Sequence, residues 1–329
     1  MKFKNADLAY SYIIKNSLEN GNYKKNRTGI DTISTFITDY RLDLSLGFTL
    51  LTTKKIDGYR WNSLIHEFLW YLSGEDHIRN LREKTKIWDS WADEQGNLDT
   101  AYGRYWRKFP SAQINKDTGK YEVTEIDQIA HVIKLLKTDP NSRRMVVQAW
   151  EPGNAASSKL PPCHYSFVFN VQGDKLNVHM TQRSGDVALG IPFNIAAYTI
   201  LCQTIAQETN FRLGEFGHTI IDSHIYCGRG ERGEFYQKNL NELKEKIRNV
   251  KNKEDYLEVK KWIEDNAPEE SEEEKGFDHV PGLLLQSSRE PKNPSTLEIN
   301  KKSIDDLVFE DFKLLNYECH GGIKFKVAA

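Results

Sequence analysis

The sequence predicts a mixed α/β protein, because segments with helical periodicity alternate along the chain with segments rich in β-forming residues. Residues 5–20 carry apolar side chains at helical spacing, whereas 59–73 and 195–209 are apolar around most of a helix and are expected to be buried. Residues 32–51 and 217–227 are rich in β-branched and aromatic side chains, which predicts strands.

The composition is that of an ordinary globular protein and does not indicate a general nucleic-acid binder. Charged residues make up 28% and hydrophobic residues 39% of the 329 residues, and the net charge is −2. Phosphate binding therefore requires a local cluster of cations. The four cysteines are far apart and fit a reducing compartment. Because no signal peptide or bilayer-length apolar run is present, we expect a cytoplasmic protein.

The whole chain is expected to form one domain with a peripheral charged insertion at about 228–280, because the sequence has no internal repeat and no long linker. A flexible, glycine-rich turn is predicted at 228–233, followed by charged amphipathic helices at 235–247 and 256–263. The charge run at 269–275 has the composition of a solvated face. No function is assigned to this insertion.

Two features of the N-terminal part each allow two interpretations. Residues 24–31 form a basic, turn-rich loop, which is either a solvated turn or a mobile loop whose Arg27 grips a phosphate. Glu67 lies within the apolar helix predicted at 59–73. It is either a buried acid with a raised pKa or a residue that faces solvent or caps a structural network.

Aromatic side chains crowd the poorly periodic stretch 87–110. Trp88, Trp91, Tyr102 and Trp106 could belong to the core, which is the usual place of aromatic residues. Four of them in a loop-like region more often line a pocket for a planar ligand.

Between this stretch and the centre of the chain we expect an exposed hairpin tip at 111–124, an amphipathic helix at 125–138 and a strand at 145–150. Arg143 and Arg144 stand where the strand begins, and adjacent side chains of a strand point in opposite directions. They mark either a junction or a simple exposed basic edge.

Residues 160–198 contain the densest set of reactive side chains. Cys163 follows two prolines, and Arg183 would favour its thiolate and could also grip an anion. The carboxamide of Asn194 can match the imide edge of uracil, whereas cytosine presents the opposite hydrogen-bonding pattern. The side chains that suit a phosphate dianion are Arg27, Arg143, Arg144, Arg183 and Ser184. Spacing alone leaves Cys163 open between packing and catalysis, whereas Cys202, inside an apolar helix, is expected to pack.

Three polar side chains stand at spacing two in the strand predicted at 217–227. Asp222, His224 and Tyr226 are therefore expected to share one face, which suggests a site. A metal site is not expected, because no third and fourth ligand stand nearby in the sequence.

The chain resembles the folate-dependent thymidylate synthases over nearly its whole length, with the motifs in the same order. The matching stretches are N-R-T-G at 26–29, L-L-T-T-K-K at 50–55, H-E-F-L-W-Y-L at 66–72, I-W-D-S-W-A-D-E at 87–94, A-Y-G-R-Y-W-R at 101–107, N-S-R-R at 141–144, L-P-P-C-H at 160–164, Q-R-S-G-D at 182–186, L-G-I-P-F-N-I-A-A-Y at 189–198 and D-S-H-I-Y at 222–226.

The resemblance implies a large twisted mixed β-sheet flanked by helices, with one face of the sheet packed in a homodimer. It implies a methyltransferase of nucleotide biosynthesis that converts dUMP to dTMP. The carbon and the hydride would both come from 5,10-methylenetetrahydrofolate, which would leave as dihydrofolate, and no metal is expected. The expected partners are dUMP, the reduced folate and a second copy of the chain, without a membrane or a nucleic acid.

The resemblance also implies roles for individual residues. Cys163 would attack C6 of dUMP, Glu67 would organise water and protons, and Tyr102 would assist proton removal from C5. Arg183 and Asp186 complete the expected catalytic set. The expected dUMP-binding residues are Arg27, Arg183 and Ser184 for the phosphate, Arg143 and Arg144 from the other subunit, Asn194 for uracil, His224 and Tyr226 for the 3′-hydroxyl, and also His164 and Gln182. The expected folate-binding residues are Lys54, Ile87, Trp88, Trp91, Asp186, Leu189, Gly190, Phe193 and Ala328, with residues 327–329 closing over the pocket.

The sequence departs from the family pattern at a few places. Val168 stands where many members carry Gln, and Thr181 stands where many carry Tyr. Both are expected at the pocket wall or in the sheet. The segment at about 228–280 is longer than in the common bacterial enzymes.

Two alternative functions are weighed against the synthase. A dUMP hydroxymethylase of the same family would add water in place of hydride, and Trp88, expected to stack on the reduced folate, favours the synthase. Asn194 argues against a cytidine-type enzyme. A catalytically silent nucleotide- or RNA-binding relative is disfavoured by the near-neutral charge and by the intact Cys163, Glu67, Tyr102 and Arg183.

Overall fold

The computed structural model describes residues 1–98 and 100–328 and confirms the mixed α/β class. The helices are α1 (Ala6–Asn20), α2 (Tyr59–Ser73), α3 (Arg79–Arg82), α4 (Tyr102–Arg107), α5 (Gln128–Thr138), α6 (Pro152–Ser157), α7 (Gly190–Thr209), α8 (Gly230–Arg248), α9 (Asp255–Asn266) and α10 (Val280–Ser287). The strands are β1 (Lys2–Phe3), β2 (Asn22–Lys24), β3 (Thr32–Asp43), β4 (Phe109–Ile114), β5 (Tyr121–Ile126), β6 (Val146–Gln148), β7 (His164–Gln172), β8 (Lys175–Gln182), β9 (Gly185–Asp186), β10 (Arg212–Tyr226), β11 (Thr296–Ile299) and β12 (Phe312–Leu315).

A large mixed sheet organises the fold. Its strands follow the order β1-β3-β10-β8-β7-β6, while β2 adds to β3 and β9 adds to β10. The long strands β3 and β10 pair antiparallel, and β10 runs parallel to β8. This order brings the ends of β8 and β10 and the start of β7 close together, so residues distant in sequence meet at one edge.

Helices α1 and α7 pack against one face of this sheet. The Oγ atoms of Ser17 in α1 and Ser223 in β10 are 3.0 Å apart, and the Sγ of Cys202 in α7 donates to the Leu176 carbonyl in β8 at 3.7 Å. Cys202 is fully buried, as the packing prediction required. Side chains on the opposite face include Thr181 and the exposed His179 of β8. The sheet therefore has one covered and one open face in a single chain.

In the long strand β3, the side chains switch to the opposite faces of the sheet near the middle of the strand. Ile37 in β3 has a positive φ of 56°, a conformation that a β-branched residue rarely adopts. Thr35 and Thr38 lie on either side of it and are an odd number of residues apart, yet both hydroxyls bond to Asn16 of α1. Strict alternation would point them to opposite faces, so the strand has reversed its facing here.

The apolar helix α2 occupies the predicted residues 59–73 and ends at Gly74, whose φ is +72°. Other boundaries differ from the prediction. The strand expected at 32–51 ends at Asp43, where the Asp43 side chain caps a 3₁₀ turn by accepting from the Ser45 N–H. Helix α7 begins at Gly190, five residues before the predicted start, because the G-I-P-F-N segment is itself helical.

The hairpin expected around 111–124 is present as β4 and β5. It stands away from the main sheet, and Tyr121 and Val123 are strongly exposed. Within the described ranges of the chain, no helix is long and apolar enough to cross a membrane.

The segment predicted to be an insertion leaves the main fold at Cys227 and returns at Asp278, and these two residues form a β-bridge. The flexible turn predicted at 228–233 is shorter than expected, since α8 already begins at Gly230. Arg232 pairs with the buried Asp278 at 2.8 Å. Apolar side chains of α8 and α9 join the same core as α1, while most of the charged residues of these helices lie at the surface. The assignment of the whole chain to a single domain stays a prediction.

Candidate active site

A cavity of about 680 Å³ opens where β7, β8 and β10 meet α2, the aromatic stretch and the C-terminal tail. Most of the predicted site residues line it. These are Arg27, Glu67, Ile87, Trp88, Trp91, Tyr102, Cys163, His164, Gln182, Arg183, Ser184, Asp186, Leu189, Gly190, Phe193, Asn194, His224, Tyr226 and Ala328. A volume of this size is within the usual range for small-molecule sites.

Cys163 stands immediately before β7 and beside Arg183. The Nη2 of Arg183 lies 3.6 Å from the Sγ of Cys163. The same guanidinium donates through Nε to the Pro162 carbonyl at 2.9 Å and through Nη2 to the Pro161 carbonyl at 2.6 Å. The backbone carbonyls of the two residues before Cys163 thus supply the acceptors that hold the guanidinium beside the thiol.

Burial raises the pKa of the Cys163 thiol, and the nearby guanidinium groups of Arg183 and Arg27 oppose that effect. The net direction is upward, so the group rests mainly as a neutral thiol at pH 7. Nucleophilic attack therefore needs the proton to leave as the new bond forms.

Glu67 is buried, with 8% of its surface exposed, and its Oε1 accepts from the indole N–H of Trp88 at 2.7 Å. Burial raises its pKa to about 7, although hydrogen bonds from Trp88 and Tyr71 act in the opposite direction. Of the two interpretations left open by the sequence, the structure supports the buried acid. A carboxyl with this pKa can both give and take a proton at neutral pH.

Tyr102 links the aromatic stretch to the cysteine. Its hydroxyl oxygen accepts from the backbone N–H of Cys163 at 2.7 Å. Its ring stacks on His164 with centroids 3.7 Å apart and an interplanar angle of 4°. Burial lowers the pKa of His164 to about 3, so the imidazole is neutral, and its Nδ1 shares a hydrogen with the Tyr198 hydroxyl at 2.7 Å.

A chain of hydrogen bonds fixes the direction of the Asn194 amide. The Nε2 of Gln182 donates to the Oδ1 of Asn194 at 3.1 Å and to the Ser184 carbonyl at 2.9 Å. Because a carbonyl can only accept, Gln182 must direct its amide nitrogen this way, and its Oε1 then faces the Nε2 of the fully buried His218 at 3.1 Å. These contacts therefore fix the positions of the Oδ1 and Nδ2 atoms of Asn194 before any ligand binds.

Asp222 organises a second polar group in the cavity. Its carboxylate accepts from Lys24 at 2.7 Å and from Ser34 at 2.8 Å, and it lies 3.4 Å from the Nδ1 of His224. Burial pushes the pKa of Asp222 up, but hydrogen bonds from His224, Lys24 and Ser34 outweigh it and hold the pKa below the usual range. An ionised Asp222 therefore orients His224 toward the ligand space.

The remaining wall is mainly apolar and aromatic. Trp88 and Trp91 have ring centroids 5.6 Å apart, and Leu189 and Phe193 at the start of α7 also line the cavity. Asp186 stands beside them, and its Oδ1 accepts from the N–H groups of Ala188 and Leu189 at 2.9 and 3.2 Å. A flat heterocycle with polar edges fits such a wall.

Three predicted residues do not line the cavity. Lys54 is buried behind the wall, where its Nζ donates to the Ala188 carbonyl at 2.8 Å and lies 4.9 Å from the Phe325 ring centroid. Burial lowers its pKa to about 8. Arg143 and Arg144 are exposed between α5 and β6.

The two departures from the family pattern, Val168 and Thr181, are not among the lining residues; they lie within β7 and β8. Val327 and Ala328 line the cavity, as expected of the closing tail, whereas Ala329 lies outside the described residues.

Sequence reasoning missed several lining residues. They include Lys24, Lys25, Asn26 and Thr28 of the basic loop, Thr32, Tyr71, Leu160 and Pro161, and Asp222, for which the sequence predicts a face shared with His224 but no role. The charge of Lys24 and the strand spacing of Asp222 were the available signals. In residues 1–98 and 100–328, no cluster of three or more His, Cys, Asp or Glu side chains is placed to hold a metal ion.

Comparison with known proteins gives concordant matches. A family model described as thymidylate synthase matches residues 8–329. A curated thymidylate synthase of Haloferax volcanii is 55% identical over 317 residues, which span 94% of this chain and 93% of that protein.

Proposed function

The chain belongs to the thymidylate synthase family and methylates dUMP to dTMP, and we propose that the cavity around Cys163 is where this reaction takes place. The observation that carries the proposal is the pairing of a thiol with a fixed guanidinium, Cys163 with Arg183, in a cavity that also holds Asn194 and an aromatic wall. Each part suits one part of a pyrimidine nucleotide or of its folate co-substrate.

Cys163 is the nucleophile in this proposal. Its sulfur forms a bond to C6 of dUMP, and the electrons of the C5–C6 double bond move toward C5 and the C4 oxygen. This makes C5 the carbon that accepts the one-carbon unit. Arg183, held by two proline carbonyls, stabilises the thiolate as it forms.

Asn194 reads the base. Its Oδ1 can accept from the uracil N3–H while its Nδ2 donates to the C4 oxygen. The hydrogen bond from Gln182 opposes a flip of this amide, which would place two N–H donors face to face. Cytosine requires the flipped amide, so the arrangement favours dUMP.

The phosphate is bound by Arg27, Arg183 and Ser184, and the second subunit of a homodimer adds Arg143 and Arg144. Both of these arginines are exposed and stand outside their own cavity, as residues that serve a neighbouring subunit would. The open sheet face supports the dimer, since Phe36 on β3 is 77% exposed in the single chain.

Methylenetetrahydrofolate is the co-substrate, and it supplies the carbon and the reducing hydride. The aromatic wall fits its flat ring system, with Trp88, Trp91 and Phe193 packing against it and Asp186 meeting a polar edge. Glu67 takes and returns protons through its raised pKa, and Tyr102 assists proton removal at C5. The four unpaired cysteines support a reducing compartment and with it a cytoplasmic location.

One assay tests the proposal. Purified protein is mixed with dUMP and methylenetetrahydrofolate, and the products are identified by mass and by the absorbance of dihydrofolate. We expect dTMP and dihydrofolate. Tetrahydrofolate with 5-hydroxymethyl-dUMP would instead select the hydroxymethylase, and the absence of any product would support a silent nucleotide-binding relative.

A further inference from the structure

The end of the insertion contacts the C-terminal tail. Residues 270–277, here called the latch turn, are the last part of the insertion before the chain rejoins the main fold at Asp278. Much of this turn belongs to the acidic run whose composition predicts only a solvated face. In the structure it packs against Lys326, just before the two tail residues that line the cavity.

Lys326 is bound through its backbone and its side chain. Its N–H donates to the Gly276 carbonyl at 2.9 Å, and its carbonyl lies 3.0 Å from the Nε2 of the buried His279. Its ammonium group donates to the Glu273 carbonyl at 2.5 Å and lies 4.5 Å from the ring centroid of Phe277. The partners of Lys326 in these contacts are the latch turn and His279, and not the β-sheet.

The latch turn also has contacts that do not involve the tail. Glu274 pairs with Arg229 at the start of the insertion at 2.8 Å. The Glu270 carboxylate accepts from the N–H groups of Gly276 and Asp278 at 3.3 and 3.1 Å. Gly276 has a φ of +93°, which a residue with a side chain rarely adopts.

We propose that the latch turn positions the C-terminal tail over the folate end of the cavity, and that Lys326 is the positioning residue through which it acts. Val327 and Ala328 follow Lys326 directly, so fixing Lys326 fixes where they meet the cavity. A tail already held in place loses less conformational entropy when the folate binds beneath it. The inference takes its ligand, the folate, from the proposed function, whereas the contact between Lys326 and the latch turn does not depend on that function.

The kinetic test compares Lys326→Met with Lys324→Met. Both lysines are exposed on the same tail, but Lys324 is two residues away from the latch contacts. For Lys326→Met we expect KM for methylenetetrahydrofolate to rise about fivefold, the effect of losing one cation–π contact and one hydrogen bond. The affinity for dUMP alone and kcat at saturating folate should change little. Lys324→Met should resemble the wild type.

A second variant tests the partner. Phe277→Leu should also raise KM for methylenetetrahydrofolate, but by less than Lys326→Met does. In the double variant Phe277→Leu/Lys326→Met, the fold-increase in KM should be smaller than the product of the two single increases, because both substitutions remove the same contact. Equal KM values for the wild type, Lys324→Met and Lys326→Met would overturn the proposal.

Hydrogen exchange separates this proposal from the catalytic one. Without any ligand, the amides of residues 326–328 should exchange faster in Lys326→Met than in the wild type or Lys324→Met. Unchanged exchange would overturn the latch even if the protein makes dTMP. Faster exchange of these amides in Lys326→Met, together with no dTMP formation by the wild type, would support the latch proposal and reject the catalytic proposal.

Discussion

The Sγ of Cys163 and the Nη2 of Arg183 lie 3.6 Å apart, and the prolines that precede the cysteine hold the arginine there. The thiol and the guanidinium are therefore already held together before any nucleotide binds. This pair joins the start of β7 to the end of β8, and Arg183 also donates its backbone N–H to the Cys163 carbonyl at 2.8 Å.

Replacing the nucleophile should separate binding from chemistry. Cys163→Ser should abolish dTMP formation, because a hydroxyl is a far weaker nucleophile than a thiolate. It should leave dUMP affinity within a few-fold of the wild type, measured by calorimetry. Cys319→Ser, which alters a thiol outside the cavity lining, is the matched control and should keep full turnover. Undiminished turnover in Cys163→Ser would reject the proposed mechanism.

The base preference should follow the amide at position 194. In Asn194→Asp a protonated carboxyl can donate to cytosine N3 while its other oxygen accepts from the exocyclic amine. We expect kcat/KM to fall for dUMP and the ratio to shift toward dCMP, measured by competition between the two nucleotides. An unchanged ratio would show that Asn194 does not read the base.

Glu67 should give the enzyme a titration near neutrality. Its pKa of about 7, raised by burial, predicts an inflection near that pH in the kcat/KM profile. Glu67→Gln should lose the inflection and about a hundredfold or more of the rate. A retained inflection in the variant would assign the titration to another group.

The same carboxyl should affect stability, with a defined sign. Between its ordinary value of 4.5 and about 7, the folded chain holds a proton that the unfolded chain has lost. The free energy of unfolding should therefore fall by up to about 3 kcal/mol as pH rises across this window. Urea unfolding of Glu67→Gln should lack this contribution. An identical pH dependence in both proteins would contradict the assignment.

We expect Lys24 to affect dUMP binding through its neighbours Asp222 and His224. Lys24→Met removes the 2.7 Å contact that helps keep Asp222 ionised and His224 oriented. We expect KM for dUMP to rise a few-fold with kcat nearly constant. Lys4→Met, at an exposed position outside the cavity, is the control. A fall in kcat alone would point to a different role.

Mixed dimers should test whether each phosphate site takes Arg143 and Arg144 from the second subunit, as proposed. Cys163→Ser and the double variant Arg143→Ala/Arg144→Ala should each be nearly inactive. After subunit exchange, half the dimers are mixed, and each has one complete site, so about a quarter of wild-type activity should return. No recovery after verified exchange would place the arginines outside the partner's cavity.

Much of the fold and site could be predicted from local pattern. Helix α2 spans the apolar stretch 59–73 that predicts it, and Asp222, His224 and Tyr226, whose spacing predicts a shared face, all line the cavity. The reversal at Ile37 could not be predicted, because a positive φ at a β-branched residue opposes local preference and is imposed by tertiary packing.

The buried position of His218 behind Gln182 was also missed. His218 in β10 contacts Gln182 in β8, and residue spacing within a single segment of the sequence cannot predict a contact between two strands. The contact of Lys326 with the latch turn joins residues about fifty positions apart in the sequence. The acidic composition of that turn predicts a solvated face and not a contact with the tail.

The bridge between Cys227 and Asp278 brings the two ends of the predicted insertion together. Since the excursion starts and finishes at one point of the scaffold, its length can change at the modest entropic cost of a longer or shorter loop. Tyr226 on one side and His279 on the other keep their places, because the His279 N–H donates to the Tyr226 carbonyl at 3.0 Å. A change in the length of this segment would therefore leave Tyr226 and His279 in place, while it could alter the proposed positioning of the tail.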